Sequence, residues 1–92
     1  MRGFLERNKN MQQIKVKIKF KEGLHARPAV QLIKLTKGFL SAITLEKGEK
    51  IVSAGSIMAI LGACIVYGDE IIVRAEGPDE EKAIQELEKY FS

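Results

Sequence analysis

The chain has 92 residues, of which 46% are hydrophobic and 29% charged, and its net charge is +3, a composition typical of one globular domain. No apolar run approaches the ~18 residues of a membrane span, and the charged N-terminus lacks the apolar stretch of a signal peptide, so we expect a cytoplasmic protein without membrane contact. The single cysteine, Cys64, excludes an internal disulfide framework and a multi-cysteine zinc site, and we expect its thiol to contribute packing rather than chemistry.

The first half of the chain predicts a strand, a helix and a hairpin. Residues 14–21 alternate apolar side chains with lysines, which indicates a half-buried strand whose outward lysines discourage pairing with another chain. A helix with apolar residues at helical spacing is predicted from Ala26 onward, with Gly38 as the glycine of its C-terminal cap. Residues 42–52 are typical of a hairpin whose turn is KGE.

The second half predicts a short helix, a strand and a longer helix. Ser56 is a good N-cap for an apolar helix of about two turns. Residues 69–76 alternate again and predict a strand. Gly77 and Pro78 mark the start of the last helix. Three acidic residues follow in its first turn, where the helix dipole favours negative charge. Its predicted buried stripe consists of Ala83, Ile84, Leu87 and Phe91.

The elements follow one another in the order β-α-β-β-α-β-α, without an internal repeat or a linker. We therefore predict one domain over residues 12–92, preceded by a mobile tail over residues 1–11. Alternating strands expose one face of a sheet while helices cover the other, so the fold class is α+β with two layers.

His25 is the only histidine of the chain, and it stands immediately before the predicted first helix. As an N-cap it would lie beside the backbone N–H groups of Ala26 and Arg27, which have no acceptor within the helix and lie at the positive end of its dipole. Arg27 adds a guanidinium that matches phosphate oxygens, and Pro28 fits the first turn, where its missing N–H needs no partner. The sequence therefore predicts an anion site at this helix end.

Phosphoryl chemistry suits this set of groups. An imidazole is a nucleophile near neutral pH that can attack phosphorus and form a phosphoramidate. Position and charge stabilisation are what phosphoryl transfer chiefly needs, and the helix end and Arg27 would supply both. The chain has no second histidine and no glycine-rich nucleotide loop, so we expect a relay for a phosphoryl group rather than a self-sufficient enzyme, and no cofactor.

Other interpretations stay open from the residues alone. His25 can be a solvated capping residue without chemistry. No metal is expected, because one imidazole without neighbouring cysteines or paired acids falls short of the three or four ligands that zinc needs. Residues 1–50 carry twelve Lys or Arg against four acidic residues, which would attract an anionic ligand or simply keep a sheet edge soluble. Nucleic-acid binding is disfavoured, since Phe20, the aromatic residue of the first strand, should be buried rather than available for stacking.

Three stretches resemble a known family. They are GLHARPAVQLIKLTKGF at residues 23–39, SIMAILG at residues 56–62 and AEGPDEEKAIQEL at residues 75–87. They resemble the HPr family, the histidine-containing phosphocarrier proteins of the bacterial phosphoenolpyruvate-dependent sugar phosphotransferase system. The resemblance covers about residues 12–91. It implies an open-faced β-sandwich, in which three helices cover one face of a four-stranded antiparallel sheet.

The resemblance also implies a role for His25. In this family enzyme I, charged from phosphoenolpyruvate, phosphorylates the matching histidine, and the group then passes to the IIA domains of sugar permeases. His25 would carry the phosphoryl group on Nδ1, and the Arg27 side chain with the backbone amides of Ala26 and Arg27 would stabilise it. The implied partners are enzyme I and IIA domains, and a monomer is expected.

Ser56 matches the serine that an ATP-dependent HPr kinase/phosphorylase modifies in low-GC Gram-positive members. The alternative function is therefore a regulatory binding module that acts through phosphorylated Ser56 on a regulator or another enzyme. A phosphate at a helix N-terminus is tolerated by the dipole, while its charge of about −2 would alter a docking surface. The residues expected to dock partners are Ala26, Val30, Ile57, Met58 and Leu61.

The sequence departs from the family pattern near Ser56. Gly55 stands where many members have lysine, and Tyr67 stands where a small polar or basic residue is frequent. Cys64 occupies a position where a glycine commonly ends the second helix. We expect Gly62 to provide that break instead, two residues earlier.

Overall fold

A computed structural model describes residues 11–92, so the predicted tail falls outside the described residues except for Met11. The strands and helices follow the predicted order. They are β1 (Gln12–Lys17), α1 (Ala26–Thr36), β2 (Ala42–Lys47), β3 (Lys50–Ser53), α2 (Ile57–Gly62), β4 (Glu70–Glu76) and α3 (Glu80–Phe91). None of the helices in this part of the chain combines the length and the apolar character that crossing a membrane requires.

The four strands form one antiparallel sheet in the order β1-β4-β2-β3. Along β4 the side chains of Ile71, Val73 and Ala75 are buried, while the residues between them are partly exposed. Helices cover the buried face through apolar side chains such as Leu32 of α1 and Leu87 of α3, which are fully buried. This arrangement confirms the open-faced two-layer fold.

Strand β1 is displaced toward the N-terminus relative to the predicted residues 14–21. It spans Gln12–Lys17, and its last pair joins Lys17 to Glu70, the first residue of β4. Ile18 extends the pairing by two backbone hydrogen bonds: its N–H donates to the carbonyl of Asp69, and its carbonyl accepts from the N–H of Gly68. The strand ends because its partner ends, although alternation of burial continues as far as Phe20.

Helix α1 ends at Thr36, with Lys37 as its C-cap in the right-handed conformation. Gly38 therefore follows the cap, and its N–H donates to the carbonyl of Leu35 at 3.1 Å. The predicted glycine lies just beyond the helix end. The cap residue is Lys37, and its backbone is right-handed, whereas a glycine cap is typically left-handed.

The second helix ends at Gly62, as expected, but the left-handed turn that follows is formed by Cys64 and not by a glycine. Gly62 is the last helical residue, Ala63 is a right-handed C-cap, and Cys64 itself adopts the left-handed conformation with φ of +54°. Lys47 holds this turn from the neighbouring strand, because its Nζ donates to the Cys64 carbonyl at 2.6 Å and pairs with Asp69 at 2.8 Å. The non-glycine residue thus keeps the backbone shape that glycine would take without strain.

The start of α3 is tied to the segment that precedes β2. The carboxylate of Asp79 accepts hydrogen bonds from the Ser41 hydroxyl and from the backbone N–H groups of Leu40 and Ser41, the last two at 2.9 Å. The Ser41 hydroxyl first, and the Leu40 N–H second, lower the pKa of the Asp79 carboxyl. Glu80, one of the predicted first-turn acids, is buried, and its carboxylate accepts a hydrogen bond from the N–H of Gly77 at 3.0 Å.

Candidate functional site

The turn that presents His25 is anchored by the two residues before it. Leu24 is buried, and its N–H donates to the carbonyl of Ile65 at 2.9 Å. Gly23 has φ of +76°, and a Cβ at this position would lie 2.5 Å from the Ile65 oxygen and 2.9 Å from the Val66 Cα. Only glycine permits this approach, so the turn lies directly against the segment that leads into β4.

His25 is the N-cap of α1, with φ of −140° and ψ of 159°, as the sequence indicates. Its side chain is exposed and makes no capping hydrogen bond to the helix. Ala26 has φ of +50°, a left-handed conformation that costs a non-glycine residue ~1–3 kcal/mol. Among residues 11–92, the backbone N–H groups of Ala26 and Arg27 have no protein acceptor. The imidazole and both amides are therefore available to a ligand.

A surface cavity of about 490 Å³ opens at this helix end. Its lining residues are Phe20, Glu22, His25, Ala26, Arg27, Pro28 and Gln31. The structure thus brings the predicted nucleophile and the predicted guanidinium to one opening. Within the described part of the chain, Arg27 forms no ion pair, so its charge is available to an anion.

Comparison with known proteins identifies the family. The family described as PTS HPr component phosphorylation site matches residues 12–92. The chain belongs to the HPr family. It is 43% identical over 77 residues to the phosphocarrier protein HPr of Buchnera aphidicola subsp. Acyrthosiphon pisum, covering 84% of this chain and 91% of that one. It is 39% identical over 80 residues to the HPr-like protein Crh of Bacillus subtilis, covering 87% and 94% respectively.

Solved structures of the HPr family share the fold. The crystal structure of HPr from Bacillus anthracis is 38% identical and superposes with a TM-score of 0.85, covering 89% of this chain and 98% of that one. A crystal structure of Bacillus subtilis Crh, 38% identical with a TM-score of 0.71, covers 87% of this chain and 92% of that one. That Crh structure is described as a dimer with a swapped domain. Membership of the HPr family supports a phosphocarrier role in the phosphotransferase system.

Ser56, the predicted regulatory serine, is the N-cap of α2. Its hydroxyl accepts a hydrogen bond from the backbone N–H of Ala59 at 3.2 Å, and the residue is half-buried. Capping therefore already engages the side chain that a kinase would modify. Met58, two residues after Ser56 in the first turn of α2, is an exposed apolar residue.

The residues predicted to dock partners differ in exposure. Met58 is 76% exposed and Val30 is 44% exposed, and Ala26 is also exposed. Ile57 and Leu61 are partly buried against the core. Helices α1 and α2 lie against each other, so the exposed members can belong to one surface.

Sequence reasoning missed several residues of the site. Phe20, Glu22 and Gln31 line the cavity with His25. Glu22 is adjacent to Gly23 in the sequence, but nothing in an alternating strand pattern indicates that it lines the cavity beside His25. Gln31 is four residues after Arg27, a separation that places both on one helix face, so helical spacing would have pointed to it.

Proposed function

We propose that this chain accepts a phosphoryl group on His25 from phosphorylated enzyme I and passes it to the IIA domains of sugar permeases. The observation that carries the proposal is the exposed imidazole of His25, which makes no capping bond and shares a cavity with Arg27. The helix begins at the same point with two backbone N–H groups, those of Ala26 and Arg27, that find no acceptor among residues 11–92. These groups are the donors that a phosphoryl group on the ring would need.

The transfer follows from nucleophilic chemistry. The lone pair of the unprotonated His25 Nδ1 attacks phosphorus, the N–P bond forms, and the bond to the donor breaks with its electron pair leaving on the donor. Arg27 and the helix-end amides of Ala26 and Arg27 stabilise the charge on the phosphoryl oxygens. Passage to the acceptor is the same displacement in the opposite sense, with the electron pair returning to Nδ1.

The test is phosphorylation with enzyme I and phosphoenolpyruvate. We expect an acid-labile adduct on the wild-type chain and none on His25→Ala. Arg27→Ala should retain the adduct but form it ~10²-fold more slowly, since removal of one charge-stabilising donor typically costs ~10²–10³ in rate. An undiminished yield of adduct on His25→Ala would contradict the proposal.

A second candidate is a regulatory module that acts through Ser56. It is supported by the similarity to Crh, which is described as a catabolite repression protein, and by the exposed Met58 two residues from Ser56. An HPr kinase/phosphorylase with ATP should then label the chain, and Ser56→Ala should abolish the label. Absence of label with a kinase that modifies other HPr proteins would remove this candidate.

The oligomeric state of this chain is a separate proposal. We propose a monomer, the state in which β1 pairs with β4 of its own chain over six residue pairs. The Crh dimer is the alternative arrangement for a chain of this fold. Light scattering after gel filtration distinguishes the two, and a dimer at micromolar concentration would overturn the monomer.

A further inference from the structure

Three aromatic rings lie behind the turn that carries His25. Phe20 contacts Tyr90 with ring centroids 5.4 Å apart, and Phe91 lies 6.2 Å from Phe20 and 5.1 Å from Tyr90. Phe20 also lines the cavity that holds His25. The C-terminal end of α3 is thus packed against one wall of the site, at the separations that favour aromatic pairs.

One side-chain hydrogen bond joins this cluster to the first turn of α1. The hydroxyl of Tyr90 donates to the backbone carbonyl of Pro28 at 2.5 Å, across 62 residues of sequence. Burial raises the pKa of Tyr90 to about 12, so the phenol is protonated and remains a donor at neutral pH. The bond ends three residues after His25, inside the turn that presents the ring.

This turn needs support from outside the helix. Ala26 is held in the left-handed conformation, and such a residue persists only where the surrounding structure over-determines it. The His25 side chain contributes no capping bond. On one side the turn is fixed by the bond from Leu24 to Ile65, and on the other side by the bond from Tyr90 to Pro28.

We propose that Tyr90 is a positioning residue for phosphoryl transfer, because its hydroxyl fixes the Pro28 carbonyl and thereby the orientation of the Ala26 and Arg27 amides toward His25. The inference rests on the proposed function of His25. It assigns to the last turn of α3 a part in the chemistry of a site built from residues 20–31. Tyr90 does not line the cavity, so it acts through the backbone of the first turn and not on the phosphoryl group.

The test compares Tyr90→Phe with Tyr67→Phe. The first substitution keeps the ring packed against Phe20 and removes only the hydroxyl, while the second removes the hydroxyl of a tyrosine that is 63% exposed. With enzyme I as the donor, kcat for phosphorylation of Tyr90→Phe should fall about 3- to 10-fold with KM unchanged, because small displacements of reacting groups raise the barrier without weakening docking. The amide NMR resonances of Ala26 and Arg27 should shift in Tyr90→Phe and not in Tyr67→Phe.

The outcomes separate the two proposals. If the wild-type chain takes phosphate and Tyr90→Phe has the same kcat and the same amide resonances, the positioning role is wrong. A change in KM alone would also overturn it, since that change belongs to docking. If the wild-type chain takes no phosphate but the Ala26 and Arg27 resonances still shift, the function of His25 fails while the structural link from Tyr90 stands.

Discussion

Replacing Cys64 by glycine should stabilise the protein. Cys64 has φ of +54°, and its side chain is exposed, so it contributes little packing to offset the strain. An L-residue in the left-handed region costs ~1–2 kcal/mol, whereas glycine takes this conformation freely but loses ~0.5–1 kcal/mol more conformational entropy on folding. The difference is a gain of ~0.5–1 kcal/mol in the free energy of unfolding. In a domain of this size that gain raises Tm by about 2–8 °C.

Urea denaturation under reducing conditions measures the effect, with Cys64→Ala as the matched control. The alanine variant removes the thiol but keeps Cβ and therefore the strain. Its free energy of unfolding should stay within about 0.5 kcal/mol of the wild-type value. Equal stabilisation by alanine and glycine would show that the thiol, not the backbone conformation, is unfavourable. Destabilisation by glycine would refute the assignment of strain to this turn.

Three further predictions concern other parts of the fold. Gly23→Ala should lower the free energy of unfolding by ~2–4 kcal/mol in urea, because the added Cβ meets the backbone oxygen of Ile65 at a left-handed φ; stability equal to wild type would contradict this close approach. Asp79→Asn should be less stable than wild type at neutral pH. The difference in free energy of unfolding should shrink as the pH falls through the folded-state pKa of Asp79, which is lower than that of an ordinary aspartate. A difference that stays constant in acid would show that the charge is not involved. Burial raises the folded-state pKa of Tyr90 to about 12, so the stabilisation by its protonated phenol is complete below about pH 10 and is lost toward pH 12. After allowance for partial exposure, wild type should lose ~1 kcal/mol more free energy of unfolding than Tyr90→Phe over that interval. Parallel curves of stability against pH for the two proteins would contradict this.

Local patterns in the sequence were sufficient to predict the elements of the fold. Burial alternates along β4 as the apolar residues do, and the stripe of Ala83 and Leu87 is buried as helical spacing requires. The N-caps His25 and Ser56 also follow from local sequence, because capping depends on a few adjacent residues. The end of β1 did not follow, since it is set by where β4 begins rather than by its own residues.

The candidate site shows the same division. The placement of His25 next to Arg27 depends on three consecutive residues and could be predicted. The contacts of Tyr90 with Pro28 and of Ile65 with Leu24 could not be predicted, because they join residues 62 and about 40 positions apart along the chain, and no periodicity encodes such pairs. The left-handed conformation of Cys64 could not be predicted for a different reason. Local preference favours glycine in a left-handed turn, and the tertiary contact from Lys47 overrides this preference.

The bond from Leu24 to Ile65 uses backbone atoms on both sides. The loop after α2 can therefore support the turn that carries His25 whatever side chains it displays, and Val66 and Tyr67 are both more than half exposed. The exposed side chains of this loop can therefore vary while the backbone contact that holds the His25 turn stays the same.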